Sequence, residues 1–257
     1  MSELLVLATA IAREAGAIAR ARFHEPRTIT TKSSEIDLVT DVDHALDALI
    51  RTRILAARPA DGLLTEENTA HAGTTGVRWV VDPLDGTTNY AHAFPCFSIS
   101  IGVEADGRRE VGVVYDPMRD ELFAAERGSG AMLNGRPIRV SPTAELRRAL
   151  LATGFAYDVH TKKTPNLAYF ERFVSSARGI RRIGSAALDF AYVACGRFDG
   201  YWELHLAPWD VAAGLLLVDE AGGRTSDFDG GPPPASGERI VASNGTVHTA
   251  MLEQLRA

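Results

Sequence analysis

The chain of 257 residues is 46% hydrophobic and 23% charged, a composition typical of a folded globular protein and not of a disordered or fibrous one. Its 27 basic and 33 acidic side chains give a formal net charge of -6, which argues against nucleic acid as the primary ligand. No apolar run approaches the roughly 18 residues of a membrane span, and the two distant cysteines, Cys96 and Cys195, predict free thiols in a reducing cytoplasm.

The N-terminal half predicts two helices followed by strands. Apolar residues at helical spacing predict a first helix over residues 2–23, and the charges within it argue against a signal peptide. A second helix is predicted to begin at Thr40 or Asp41, either of which is a plausible N-cap. Short apolar runs then predict strands at residues 63–64, 79–81, 97–103, 111–115 and 122–125, with a meander over residues 97–133.

The C-terminal half has a different pattern, in which strands alternate with helices. Strands are predicted at residues 150–153, 180–183 and 201–204, and helices at residues 166–177, 185–194 and 210–221. Residues 230–236 are predicted to form a surface loop. We therefore predict an α+β domain over residues 1–143 and an α/β domain over residues 144–257.

The most informative stretch for function follows the strand at residues 79–81. There the chain reads Asp82-Pro83-Leu84-Asp85-Gly86-Thr87-Thr88. Two carboxylates that leave one strand end together can bind divalent cations, and backbone amides after Gly86 would attract an oxyanion if they open a short helix. In isolation such a stretch is also typical of an ordinary turn.

Three other acidic stretches are candidates for the same chemistry. Glu66 and Glu67 follow an apolar strand, where a buried acid needs a partner such as a metal, although a solvated loop fits equally well. Asp210 precedes an apolar helix, a position typical of an N-cap. Asp43, at the end of the stretch 32–43, lies in the first turns of the second helix, where an acid can accept a proton from a hydroxyl that orients water.

In their order and setting these stretches resemble the inositol monophosphatases over nearly the whole chain. The resemblance extends to Phe94-Pro95, to Gly184-Ser185-Ala186-Ala187 before a helix, and to Ala221-Gly222-Gly223 after the last acid. It implies an α/β fold in a layered αβαβα sandwich, with the site where an α+β half meets an α/β half. It also implies a magnesium requirement, inhibition by lithium and a homodimer.

The resemblance implies a role for each matching residue. The metal ligands would be Glu66, Asp82, Asp85, the carbonyl of Leu84 and Asp210, with Glu67 as a supporting acid and Lys32 near a third, weaker metal. The catalytic residues would be Glu66, Asp43 and Thr87, where Thr87 bonds to Asp43 and orients and deprotonates the water. The substrate would contact Asp85, Gly86, Thr87, Thr88, Gly184, Ser185, Ala186, Glu203 and Asp210.

The residue types themselves indicate which metal would bind. The proposed ligands are all oxygen donors, without histidine or cysteine, which favours Mg²⁺ or Mn²⁺ over zinc. The resemblance implies two or three such ions per site. Two such ions about 4 Å apart can activate water, neutralise phosphate oxygens and stabilise the leaving oxygen. The substrate that the resemblance implies is a small polyol or sugar phosphate.

Other functions remain to be compared with this one. Asp41-Val42-Asp43 resembles the opening of haloacid-type phosphatases, but the run D-x-D-G-T is missing, and so are the P-loop and the serine hydrolase elbow.

Relatives in the superfamily act on inositol 1-phosphate, fructose 1,6-bisphosphate, histidinol phosphate or 3'-phosphoadenosine nucleotides, and Thr88-Asn89 resembles the inositol branch. The alternative of another class is a regulatory protein that binds the transcription machinery. Arg181 and Arg182 are expected in one of three places: beside the site, at a contact between subunits, or at a solvated strand edge.

Overall fold

The computed structural model describes residues 1–32, 34–68, 70–156, 159 and 166–256, so Ser33, inside the acidic stretch 32–43, lies outside the described residues. The helices are α1 (Glu3–Arg22), α2 (Asp41–Ala57), α3 (Thr87–Ala91), α4 (Asn166–Ser176), α5 (Ala186–Ala194), α6 (Pro208–Glu220) and α7 (His248–Arg256). The strands are β1 (Ile29–Thr31), β2 (Leu38–Thr40), β3 (Gly62–Thr65), β4 (Val77–Asp85), β5 (Ser98–Ala105), β6 (Arg108–Asp116), β7 (Glu121–Glu126), β8 (Gly130–Leu133), β9 (Arg136–Pro137), β10 (Leu150–Thr153), β11 (Gly179–Arg181), β12 (Gly200–Leu204), β13 (Arg224–Ser226) and β14 (Arg239–Ser243).

Strands β3 to β9 form one sheet in chain order. β3 and β4 are parallel, and each later neighbour is antiparallel, which confirms the predicted meander. β5 is buried along nearly its whole length, as expected for a strand covered on both faces. The turn expected at Pro83 is wrong, because β4 continues through it to Asp85 with a bulge against β5.

The two N-terminal helices are confirmed, and both are capped by hydroxyl side chains. Ser2 caps α1 by accepting a hydrogen bond from the Leu5 amide at 3.3 Å. Thr40, and not Asp41, is the N-cap of α2. Apolar residues of α1 and α2 form one core cluster with the inner side chains of β3 to β7, so both helices cover one face of this sheet.

The second sheet has the order β11-β10-β12-β14-β13. β10 is parallel to both neighbours, whereas β14 is antiparallel to β12 and β13, and the predicted alternation of strands and helices is confirmed through α6. The N-cap predicted at Asp210 is wrong. α6 begins at Pro208 after the cap residue Ala207, and Asp210 stands one turn in, where its carboxylate accepts from the Ala207 amide at 2.7 Å.

Helices α5 and α6 lie between the two sheets. Their apolar residues form a cluster with side chains of both sheets, while α4 and α7 cover the other face of the second sheet. Gly102 and Gly112 let α6 approach the first sheet closely, since a Cβ at either position would lie 2.6 Å from an atom of Ala212 or Ala213. The resulting order of layers, αβαβα, confirms the predicted fold class.

Three general predictions have different outcomes. Cys96 and Cys195 are free thiols, as predicted. None of the helices in the described ranges is both long and apolar enough to cross a membrane. The division into domains at residue 143 stays a prediction.

Candidate active site

A cavity of about 450 Å³ opens where the end of β4 meets the first residues of α5 and α6. It is lined by predicted site residues from both halves of the chain: Lys32, Glu66, Asp85, Gly86, Thr88, Gly184, Ser185, Ala186, Glu203 and Asp210. Asp43, Glu67, Asp82, Leu84 and Thr87 do not line this cavity; they are buried nearby and are linked to the lining residues through hydrogen bonds and charge.

The N-terminus of α2 holds a carboxylate that orients a threonine. Thr40 and Asp43 form a capping box, in which Asp43 accepts from the Thr40 amide at 2.9 Å. The other carboxylate oxygen of Asp43 accepts from the Thr87 hydroxyl at 2.8 Å, as predicted. Burial raises the pKa of Asp43, and its hydrogen bonds with Thr40 and Thr87 partly oppose that rise. The helix cap thus determines where the Thr87 hydroxyl lies.

The end of β4 supplies two acids on either side of its bulge. Asp82 pairs with Ser100 and Asp85 with Ser98, so three steps along β4 match two along β5. An extra residue of this kind re-aims a side chain that would otherwise alternate across the sheet. Asp82 accepts from the Leu84 amide at 3.0 Å, which fixes the bulged segment of β4 that contains the Leu84 carbonyl.

Asp85 joins β4 to the N-terminus of α5. Its carboxylate accepts from the amides of Ala186 and Ala187 at 3.1 and 2.9 Å, from the Ser98 hydroxyl at 3.1 Å, and from the Ser185 hydroxyl. Burial raises the pKa of Asp85 against the effect of these bonds. Amides at a helix N-terminus favour a carboxylate, so this acid holds the two halves of the chain together at the cavity.

The acids also act on one another through their charges. Burial first, and then the charges of Glu66, Asp85 and Asp210, raise the pKa of Asp82 well above its usual range. Burial likewise raises the pKa of Asp210 well above its usual range, with contributions from Asp85 and Glu66. Acids from β4, from the loop after β3 and from α6 therefore lie close enough to affect one another's pKa.

A lysine partly compensates this negative charge. Lys32 lies 2.9 Å from Glu66 and forms a second ion pair with Glu67. Burial lowers the pKa of Lys32, but the two glutamates outweigh it and the net shift is upward. Burial raises the pKa of Glu67 despite its bond with Lys32. One lysine therefore does not neutralise the acids around it.

The C-terminal wall of the cavity contains Glu203 on β12. The Tyr201 hydroxyl donates to its carboxylate, and burial raises the pKa of Glu203 to about 7. Glu203 stands so close to the chain after β10 that a Cβ on Gly154 would lie 2.2 Å from its oxygens. The absence of a side chain at Gly154 therefore makes room for this carboxylate.

Several lining residues were not predicted as site residues from the sequence. They are Asp37, Gly154, Phe155, Ala156, Arg182, Asp189, His205, Leu206, Ala207 and Trp209. A signal for one of them was present, because Asp189 is the charged residue in the otherwise apolar stretch of α5. Of the two arginines whose position was left open, Arg182 flanks the site, whereas Arg181 is exposed at the end of the edge strand β11.

The donor set fits a hard divalent cation. The converging groups are carboxylates and the Leu84 carbonyl, which suit Mg²⁺ or Mn²⁺, and a cation among buried carboxylates would offset the repulsion that raises the pKa values of Asp82 and Asp210. Within the described ranges, however, no three His, Cys, Asp or Glu side chains close around one point. The acids are thus neighbours on one wall and not a finished cage.

The same chain can be compared with proteins already known. The model of the inositol monophosphatase family matches residues 1–257. Nus factor SuhB of Salmonella typhimurium is 45% identical, covering 100% of this chain and 97% of the relative. Inositol-1-monophosphatase of Synechocystis sp. is 43% identical, covering 98% and 88%.

A solved structure agrees with these relatives. The crystal structure of extragenic suppressor protein suhB from Bartonella henselae superimposes with a TM-score of 0.95 at 38% identity, covering 99% of both chains. The family model and these relatives extend over essentially the whole chain, including both sheets and the cavity between them. The chain therefore belongs to the inositol monophosphatase family.

Proposed function

We propose that this protein is a magnesium-dependent phosphomonoesterase that hydrolyses a small polyol phosphate, with inositol 1-phosphate as its substrate. The observation that carries the proposal is that acids from separate stretches, Glu66, Asp85 and Asp210, line one cavity, with the buried Asp82 close enough to be affected by their charges. Membership of the family supports it, and so does the relative named inositol-1-monophosphatase.

The metal ligands in this proposal are Glu66, Asp82, Asp85, the Leu84 carbonyl and Asp210. Bound Mg²⁺ would supply charge neutralisation for the phosphate and a lowered pKa for water. Asp85 and Asp210 are held by helix N-terminal amides, so their positions do not depend on side-chain flexibility. This arrangement keeps two of the acids fixed before any ligand binds.

Thr87 and Asp43 handle the proton of the attacking water. The Thr87 hydroxyl lies 2.8 Å from Asp43 and 3.1 Å from the Leu84 carbonyl, so its hydrogen points inward and a lone pair remains for water. A water that donates to Thr87 can lose its proton along this bond toward Asp43 as its oxygen attacks phosphorus. The bond between phosphorus and the polyol oxygen breaks in the same step, and the departing alkoxide takes a proton from solvent water. The amides of Gly86, Thr87 and Thr88 would hold the phosphate oxygens.

The polyol would bind toward the C-terminal wall. Ser185, Ala186 and Glu203 line that part of the cavity, and the Glu203 carboxyl group offers an acceptor for sugar hydroxyls. Fructose 1,6-bisphosphate and histidinol phosphate are alternative substrates on the same site. The homodimer and the lithium sensitivity stay predictions.

A second candidate function is favoured by one comparison. The relative from Salmonella typhimurium is named Nus factor SuhB, which supports a regulatory role in binding the transcription machinery. Asp82→Asn separates the two functions, because hydrolysis should be lost while a binding role should persist.

Phosphate release from a panel of polyol and sugar phosphates, measured with and without Mg²⁺, tests the enzymatic proposal. We expect release only with the metal, and a loss of about 10³-fold in kcat/KM for Glu66→Gln and Asp85→Asn, since each removes a charged ligand. Glu104→Gln is the matched control: Glu104 is a buried acid on β5, paired with Arg78 at 2.6 Å and away from the cavity. Full activity of Glu66→Gln and Asp85→Asn would contradict the assigned roles.

A further inference from the structure

Asp189 on α5 is a buried acid with an open hydrogen-bonding position. Its side chain is 1% exposed, and Oδ1 has no hydrogen-bond partner among the described residues. Three other buried side-chain atoms share this property, on Asp47, Thr65 and Arg109, yet of the four residues Asp189 is the one that lines the cavity. Buried polar atoms without a partner are rare and call for an explanation.

The surroundings of Asp189 do not supply a structural reason for it. Its nearest charged neighbours include Glu203 and Asp85, which together with burial raise the pKa of Asp189 well above its usual range. Arg182 acts in the opposite direction, but no ion pair within 4.0 Å joins it to Asp189 in the described part of the chain. A carboxyl group placed beside two others costs folding free energy, whereas an apolar residue would suit this helix.

We propose that Asp189 binds a hydroxyl group of the polyol, side by side with Glu203, and so is a specificity-determining residue for the proposed phosphatase. This inference rests on the function proposed above and adds the residue that selects the non-reacting part of the substrate. Asp189 and Glu203 come from α5 and β12, which form the C-terminal wall of the cavity. A ring with neighbouring free hydroxyls can bond to both carboxyl groups at once.

The same wall disfavours a second phosphate. Asp189 and Glu203 offer no positive charge to a second phosphate, and either carboxyl group repels a dianionic group when it is ionised. Arg182 is exposed at the rim beside Gly184, so it does not reverse the character of the wall below it. A polyhydroxylated monophosphate therefore suits this wall better than a bisphosphate does.

The test compares two esters in the presence of Mg²⁺: myo-inositol 1-phosphate, which carries ring hydroxyls, and phenyl phosphate, which has none. We expect Asp189→Ala to lower kcat/KM for the inositol ester by about 10- to 100-fold, because a site built for a hydroxyl loses its partner. The value for phenyl phosphate should change by less than about threefold. Asp189→Asn keeps a hydrogen-bonding group of the same shape and should retain most of the preference.

Asp47→Ala is the matched control, since Asp47 is also buried with an unpartnered oxygen but lies on α2 away from the cavity. It should leave the ratio of the two esters at the wild-type value. If Asp189→Ala does not fold, Asp189→Val replaces it, because valine has nearly as many side-chain heavy atoms as aspartate and no hydrogen-bonding group. An equal loss of kcat/KM for both esters, or no loss for either, would overturn the role of Asp189. The phosphatase activity itself would still be upheld if the wild-type protein hydrolyses phenyl phosphate. Wild-type protein inactive on both esters would refute the phosphatase itself, and this inference with it.

Discussion

On the wall formed by β4 and α3, together with the N-terminus of α2 that is bonded to Thr87, both oxygens of Asp43 accept hydrogen bonds, and Asp85 accepts from two amides and two hydroxyls. On the wall formed by α5 and β12, the Tyr201 hydroxyl donates to Glu203, and Asp189 keeps one oxygen without a partner among the described residues. The two walls face the same cavity and are both rich in acids. They differ in how much of their hydrogen-bonding capacity the protein itself uses.

This difference separates two tasks. A group whose bonds are all made within the protein is fixed in place, as required of residues that position reacting atoms. A buried group with open capacity has a free energy cost that a ligand can remove by bonding to it. We therefore assign the reaction to the first wall and recognition of the polyol to the second.

The largest expected effect tests the assignment of the first wall. Thr87→Ala removes the hydroxyl between Asp43 and the attacking water, and we expect kcat to fall by about 10²- to 10³-fold on inositol 1-phosphate and phenyl phosphate alike. Thr87→Ser keeps the hydroxyl and should retain most of the activity. Phosphate release under saturating substrate and Mg²⁺ measures both. A loss confined to one ester would place Thr87 in recognition and break the distinction between the walls.

Sequence patterns predicted the acids of the first wall because each follows an apolar strand or opens a helix. Asp82 and Asp85 are close in sequence, and the resemblance to the family supplied Asp43 and Thr87 as a bonded pair, which the structure contains. The bulge in β4 was not visible, since Pro83 is typical of a turn and the pairing with β5 that keeps the strand continuous involves residues 13 to 18 positions away.

The second wall was harder to predict. Asp189 becomes a lining residue because α5 packs between two sheets and brings that helix position to the cavity, a tertiary fact that helical spacing alone does not contain. The strands β13 and β14 and the helix α7 were also missed. β13 is three residues long, and short apolar runs such as β14 are ambiguous without knowledge of their partners.

The next largest effect concerns a buried group of the C-terminal half whose hydrogen bonds, unlike those of Asp189, are made within the protein. Away from the cavity, the ring nitrogens of buried His248 lie 2.9 and 2.8 Å from the hydroxyls of Ser226 and Ser243. Burial lowers the pKa of His248 from 6.5 to about 4, so the folded protein keeps it neutral while the unfolded chain takes up a proton below pH 6.5. The stability it contributes is present above that pH and is lost as the pH falls toward 4.

We expect this loss to reach about 2–3 kcal/mol in the free energy of unfolding between pH 7.5 and 4.5. Urea unfolding of the wild type and of His248→Gln at both pH values measures it, and the variant should show the smaller dependence. His71→Gln, at an exposed position, should behave like the wild type. Equal pH dependence of His248→Gln and the wild type would mean that His248 is not held neutral by the fold.

The smallest effect concerns the point where the two walls touch. Gly86 has φ 101°, and a Cβ there would lie 3.1 Å from the carbonyl oxygens of Cys96 and Gly184, so Gly86→Ala combines backbone strain with a contact across the walls. Gly107 has φ 74° and open space around it. Gly107→Ala therefore measures only the free energy cost of an alanine with this backbone conformation, about 1 kcal/mol. We expect Gly86→Ala to cost about 1–2 kcal/mol more than this control in urea unfolding, because backbone carbonyls on both sides cannot move away without shifting α5 from Asp85. Equal costs for the two variants would show that the walls can separate at Gly86 without penalty, and the rigid placement of Asp85 against α5 would then need another explanation.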